Sequence, residues 1–217
     1  MSGEARIKFP FLLGFRLAIM GAMLAAAPMQ GGFAKQSKSA AAPVKTGSLS
    51  DLACANGGRE AKLTASRVRK GERYYLEFRT RPYLGTPSGH MYVVFGELDA
   101  GGKARSRYHI GLAPDGLAIG FIGGALVKVP AHLRPRYMEC SGGVIDAWRI
   151  SVSPSQYAAI VRRAQANLLT PPLWSMFAFN CTHFAAGFGD IVGLKRPQTP
   201  HLMAALYLPA YIKANER

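Results

Sequence analysis

Acidic residues are scarce in this chain: 12 Asp+Glu stand against 27 Lys+Arg, a formal net charge of +15. Cysteine is scarcer still, with three in 217 residues. Three thiols are too few for a disulfide-scaffold protein or a Cys₄ zinc module. An odd number also leaves one thiol over if the other two are bridged. The five histidines and three cysteines form no C-x₂-C pair and no H-E-x-x-H, so neither a metal nor another cofactor is expected. No internal repeat is present. Charged residues make up 18% of the chain and hydrophobic ones 49%, which excludes wholesale disorder and allows a core.

The first 34 residues read as a secretory signal. Arg6, Lys8 and Arg16 precede an uncharged run from Leu17 to Ala27, and Gly32-Phe33-Ala34 offers small residues around a cleavage site. The run is short for a bilayer span, which takes roughly 20 apolar residues. Phe9 to Ala27 is interrupted only by Arg16, so an uncleaved anchor is the alternative. Residues 35–54 are mostly small, polar and basic and read as a flexible linker. Residues 55–217 then form one domain, in an exported protein still carrying roughly +13.

Within that domain, strands come first. Arg73 to Phe78 alternates in polarity, His90 to Leu98 is rich in β-formers, and Ser106 to Leu112 reads as its return strand across a turn at Asp99-Ala100-Gly101-Gly102. Gly123-Gly124, between two apolar runs, suggests another hairpin, and Ala147 to Val152 a further strand. Helices follow. Ser153-Pro154-Ser155-Gln156 is a capping box ahead of a helical stripe that Pro171-Pro172 ends. Asn180 caps a second helix with Cys181, Phe184, Ala185, Phe188 and Val192 on one face and Gly193 as its stop. Thr199-Pro200 opens a third, from Leu202 to Leu206. The order predicts an α+β fold, a small antiparallel sheet packed against helices.

Cys181 is the residue with chemical promise. On the first turn of a helix, free N–H groups and the macrodipole favour a thiolate and could hold an oxyanion. Such a nucleophile needs a base, usually histidine, and a group to orient it. A hairpin turning at residues 99–104 pairs residues whose numbers sum to about 203, so His109 faces Val94. His90 and His109 then share a face about 13 Å apart along the ladder, and the loop near Asp115 competes as a source of the orienting group. His183 lies off the Cys181 face, and His132 and His201 carry no signal.

A strand-borne histidine followed by a helix-borne cysteine in an Asn-Cys-x-His-Phe run resembles the circularly permuted papain-like proteins, the lecithin:retinol acyltransferase-like and NlpC-type groups. Asn180, Cys181, His183 and Phe184 match the box, and Thr182 stands where an acidic residue is usual. The resemblance covers roughly residues 75–195. It implies a permuted papain-like fold in which Cys181 attacks an amide or ester carbonyl, His90 serves as base and His109 orients His90. The activity expected is that of an exported amidase, peptidase or acyltransferase acting on cell-wall peptides or acyl lipids. Leu173, Trp174, Met176, Phe177 and Phe179 could supply an apolar wall beside the thiol. The competing reading is a non-catalytic basic protein that binds the anionic wall or membrane. Basic clusters are scattered without a nucleic-acid motif, so the anionic envelope is the expected partner rather than nucleic acid. Cys54 and Cys140 are the pair open to bridging, 86 positions apart, in an oxidising compartment.

Overall fold

The computed structural model describes residues 47–83, 86–198 and 203–216. The chain divides into two units, 1–42 and 43–217, and every described residue lies in the second. The expected signal, most of the linker and the Thr199-Pro200 helix start lie outside the described residues.

Five strands form the main sheet: β1 (Ala65–Arg67), β2 (Tyr74–Tyr83), β3 (Thr86–Glu97), β4 (Tyr108–Ile110) and β7 (Asp146–Val152), in the order β1-β7-β2-β3-β4. A separate short pair joins β5 (Ala113–Pro114) to β6 (Ala131–His132). The fold is α+β as expected, but the sheet is mixed, because edge strand β1 runs parallel to β7. The β3–β4 register matches the hairpin arithmetic, with Val94 opposite His109.

Alternation along the strands divides the sheet into two faces. Leu76, Phe78, Met91, Val93, Phe95, Trp148, Ile150 and Val152 point to one side. There they pack against α3 (Pro154–Leu169), α4 (Cys181–Ile191) and α5 (Ala204–Ala214) through Ile160, Ala164, Phe184, Phe188, Tyr207 and Tyr211. The helix starts are those the sequence encodes. Ser153 Oγ accepts from Gln156 N while Ser153 N donates to Gln156 Oε1. Gly193, at φ +77°, follows α4 as its stop. The third helix runs to Ala214, well beyond the expected Leu206, because Tyr207, Leu208, Tyr211 and Ile212 continue its buried face.

Two sequence expectations are corrected. Residues 117–129 do not form a hairpin: Leu117–Leu126 is helix α1. Its glycines serve close packing instead of a turn, since a Cβ on Gly124 would lie 2.1 Å from the Trp174 ring. The linker is also shorter than 35–54. Leu49–Leu52 forms a 3-10 helix, Leu52 is fully buried in the core, and Cys54 is bridged to the domain. Burial of Leu52 and the Cys54–Cys140 bridge together hold this segment to the domain.

Candidate functional site

The opposite face of the sheet carries charge. Glu77, Arg79, Arg81, Arg149, His90, Tyr92 and His109 are all buried there. Glu77 takes the guanidinium groups of both Arg79 and Arg149. The loop after the 3-10 helix lies over this face. Arg59 gives its carbonyl to Arg79 at 2.9 Å and Glu60 pairs with Arg107 and Arg149. Cys54 and Cys140 are bridged, as the sequence left open, with Cα atoms 5.6 Å apart. The bridge ties this loop to the short helix α2 (Tyr137–Ser141). Cys181 is the free thiol.

His90 therefore meets a carboxylate that the sequence reading missed. Glu139, the neighbour of Cys140, sits 3.6 Å from His90 Nε2 and 2.6 Å from the Arg81 guanidinium. It also accepts from Arg136 N, which fixes α2 at its first turn. The only cue in the sequence is an acidic residue beside a cysteine. His109 does not reach His90: the Tyr92 ring lies between them, 5.9 Å from one imidazole and 6.3 Å from the other. His109 Nδ1 instead lies 3.5 Å from Cys54 Sγ, under Gly58. Glu139 is a carboxylate at His90, and His109, expected to orient His90, packs beneath the disulfide instead. Among the described residues no cluster of metal-ligating side chains occurs.

Cys181 arrives from the helix side. Asn180 caps α4, accepting from Thr182 N at 3.0 Å and His183 N at 3.4 Å, and Thr182 Oγ1 donates to the same oxygen. His183 folds back on the cap, its Nδ1 3.0 Å from Asn180 Oδ1. Phe184 enters the core. Each matched member of the Asn-Cys-x-His-Phe run except the cysteine thus has a structural task in starting this helix.

Cys181, from the helix side, and His90, whose ring lies on the opposite face beside Tyr92 and Glu139, both border a splayed corner of the sheet. Strand β4 pairs with β3 as far as Val93–Ile110; Gly111 N then turns to Leu133 O, and the chain goes on to pair with β6. Gly111 matters here, because a Cβ on it would lie 2.8 Å from His90 Nε2. In the gap a cavity of about 20 Å³ is lined by Gly89, His90, Leu112, Ala113, Pro114, Trp174 and Cys181. That is room for about one water. A larger hollow of about 440 Å³ opens elsewhere, around the disulfide and Tyr137, away from the thiol.

Burial governs the charge state of both groups. It pushes the His90 imidazole down to about 4, against the pull of Glu139 and with help from Arg81 and Arg136. It pushes the Cys181 thiol up, and the backbone N–H groups of Met91, Thr182 and Cys181 offset part of this. The resting pair is neutral thiol and neutral imidazole, unlike the thiolate that a helix N-terminus alone would favour.

Comparison with protein-family models, with curated proteins and with solved structures finds no match to this chain.

Proposed function

We propose that this chain is a cysteine-dependent acyl hydrolase or acyltransferase of permuted papain-like type, with Cys181 as nucleophile, His90 as base and Glu139 as the group that orients His90. The observation that supports the reading is one small cavity whose lining includes both the helix-start Cys181 and His90, a residue that Glu139 backs. The Cys181 sulfur attacks an ester or amide carbonyl as its proton passes to His90. The N–H groups of Met91 and the first turn of α4 face the sulfur and can hold the oxyanion that forms. The C–O or C–N bond breaks, His90 protonates the leaving alcohol or amine, and a thioester remains. Water, or an acceptor alcohol or amine, attacks the thioester after losing its proton to His90, and the thiol is restored. Export, if residues 1–34 act as a signal, sets this chemistry in the cell envelope.

The small size of the cavity favours the second reading, a non-catalytic basic protein that binds anionic wall or membrane. A carbonyl enters only if the wall of Leu112, Ala113, Pro114 and Trp174 yields. Incubation with a p-nitrophenyl acyl ester followed by intact-mass measurement separates the two. The catalytic reading expects an acyl adduct on Cys181 and turnover that Cys181→Ala, Cys181→Ser and His90→Gln abolish. Equal turnover in all variants, or no adduct, sinks it.

A further inference from the structure

The seam between residues 53–62 and 137–144 has little apolar packing. Among the described residues from Arg134 to Asp146, Glu139 is the only buried one. Tyr137, Met138 and Ile145 are exposed, and no apolar side chain from 137–145 joins the core. Two hollows open along the seam. One, of about 440 Å³, is lined by both bridged cysteines and Tyr137. The other, of about 370 Å³, is lined by Glu60, Lys62, Gly143 and Val144. Besides the disulfide, Arg59 N donates across the seam to Cys140 O at 2.9 Å. A helix of five residues does not hold itself, and a segment with so few apolar contacts lies at the low-stability end of a fold. The bridge is therefore what keeps α2, and Glu139 with it, in place.

The two sulfurs are placed differently. Cys54 is buried, with His109 Nδ1 3.5 Å from its Sγ and Gly58 packed over it. Cys140 is only half-buried and borders the larger hollow. Exchange favours the accessible sulfur as the one attacked and the more stabilised thiolate as the one that leaves. An incoming thiolate thus meets Cys140, and Cys54 is the leaving group. In its Nδ1–H form the His109 imidazole donates to the Cys54 sulfur as negative charge develops there. Buried His109, which does not reach His90, gains a chemical task in this way.

We infer that Cys54–Cys140 is a thiol-exchange site for a dithiol reductant, and that opening it frees α2 and draws Glu139 away from His90. The first thiolate of the dithiol attacks Cys140 Sγ, the S–S bond breaks, and its electron pair leaves on Cys54, which takes a proton. The second thiolate attacks the reductant's own sulfur in the mixed disulfide, and Cys140 leaves and takes the second proton. Two electrons and two protons pass to the chain, and the dithiol ends as a disulfide. Gly142 and Gly143, at φ +122° and +78°, follow α2 and give the freed segment a pivot before Ile145 N rejoins the sheet at Thr80 O. Once water enters the seam, Glu139 regains the hydration that burial beside Arg81 denied it. Release of α2 stands on the seam alone. That release silences Cys181 rests on the proposed thiol chemistry.

The test uses the full chain with Cys181→Ser, so that every thiol counted comes from the bridge. Dithiothreitol without denaturant is expected to expose both thiols to alkylation, read by intact mass. Amide exchange should then speed about tenfold or more over 53–62 and 137–145 and stay unchanged in β2 and β3. A bridge that opens only in urea, exchange that rises across the whole sheet, or exchange unchanged at 137–145 overturns the switch. Limiting glutathione, quenched by alkylation, should be found on Cys140. His109→Leu should slow reduction about tenfold, and His109→Asn, which keeps a donor near the Nδ1 position, should restore it. Glutathione on Cys54, or His109→Leu reduced at or above the parent rate, overturns the assigned direction of attack. None of these readouts needs catalysis. In the thiol-bearing protein, the reduced form, freed of dithiothreitol, should turn over a p-nitrophenyl acyl ester about tenfold more slowly, and reoxidation should restore the rate. Equal turnover in both states with α2 released overturns the silencing and leaves the exchange site standing.

Discussion

Strand β2 is buried on both sides, yet Leu76 and Phe78 meet helices while Glu77 and Arg79 meet other charges. On the helix side, stability comes from apolar area, at about 25 cal/mol per Å² removed from water. On the loop side, ions have left water and depend on one another. The first kind of face tolerates small changes in shape. The second requires each partner to be present, and it is held down by a covalent bridge instead of by bulk. Both His90 and Glu139 belong to the second, whereas Cys181 comes from the helix side, so the candidate chemistry draws on both faces.

The bridge provides the largest expected difference between the faces. Closing the 86-residue separation between Cys54 and Cys140 stabilises the fold by roughly 4–5 kcal/mol in the chain-entropy account. Cys54→Ser with Cys140→Ser should therefore lower stability by that order in urea titration. It should also loosen α2, with Glu139 leaving His90 and any Cys181 reactivity falling with it. A loss under about 1 kcal/mol would show that the charged network, without the clamp, holds this face.

Next in size is the ion cluster. Glu77→Ala leaves buried Arg79 without a carboxylate and Arg149 with only Glu60, and should cost about 3–5 kcal/mol. Replacing all three, as Glu77→Leu, Arg79→Met and Arg149→Met, should cost less than the single change, because no unpaired charge remains. On the helix face the ranking reverses: Phe188→Ala costs about 3–5 kcal/mol and further truncation of Phe184 adds to it. If the triple variant is worse than Glu77→Ala, the two faces do not differ in the way described.

Acid should act on one face alone. Burial holds the His90 imidazole down to about 4 and His109 down to about 3. Glu139 faces both and pulls upward. Arg81 and Arg136 push His90 down, and Arg79 and Arg107 do the same to His109. The unfolded chain binds these two protons near pH 6.5. Their contribution to stability is thus complete above about pH 6.5, declines as pH falls through about 4 and 3, and levels off below. For His90 the effect is on the order of 3 kcal/mol. Urea midpoints measured from pH 7 to pH 4 should fall accordingly, and His90→Gln with His109→Gln should flatten the slope. An unchanged slope would mean that the imidazoles become accessible before the sheet opens.

Much of the helix face was legible in the sequence, and the reason is periodicity. The stripe behind Ser153-Pro154 and the stripe from Cys181 to Val192 each repeat at helical spacing, and hairpin arithmetic alone set Val94 opposite His109. The charged face was not legible, because Glu77, Arg79 and Arg149 alternate with apolar residues just as solvent-facing residues would. What buries them comes from residues 53–62 and from α2, segments without periodicity. Glu139 could not be assigned to His90 for the same reason, since a carboxylate 49 positions away is brought in by a disulfide and a five-residue helix. The Gly123-Gly124 pair misled because a glycine that makes room for a Trp174 ring looks, in sequence, like a glycine that makes a turn.

The smallest effect is expected at the α4 cap. Asn180 is buried, accepts three hydrogen bonds at the helix start and donates to Met176 O. Asn180→Ala should cost about 1 kcal/mol, the ordinary worth of an N-cap. Asn180→Asp keeps the acceptor and should hold the helix at least as well as alanine does, but it sets a negative charge beside a thiol that burial already pushes up. Alkylation of Cys181 by iodoacetamide at pH 8 should then slow in Asn180→Asp while the helix survives. If the box serves only to start α4, the aspartate variant alkylates at the rate of the parent. If Asn180 also sets the charge environment of the thiol, stability and reactivity part company between the two variants, and the sequence box has a chemical purpose beyond capping.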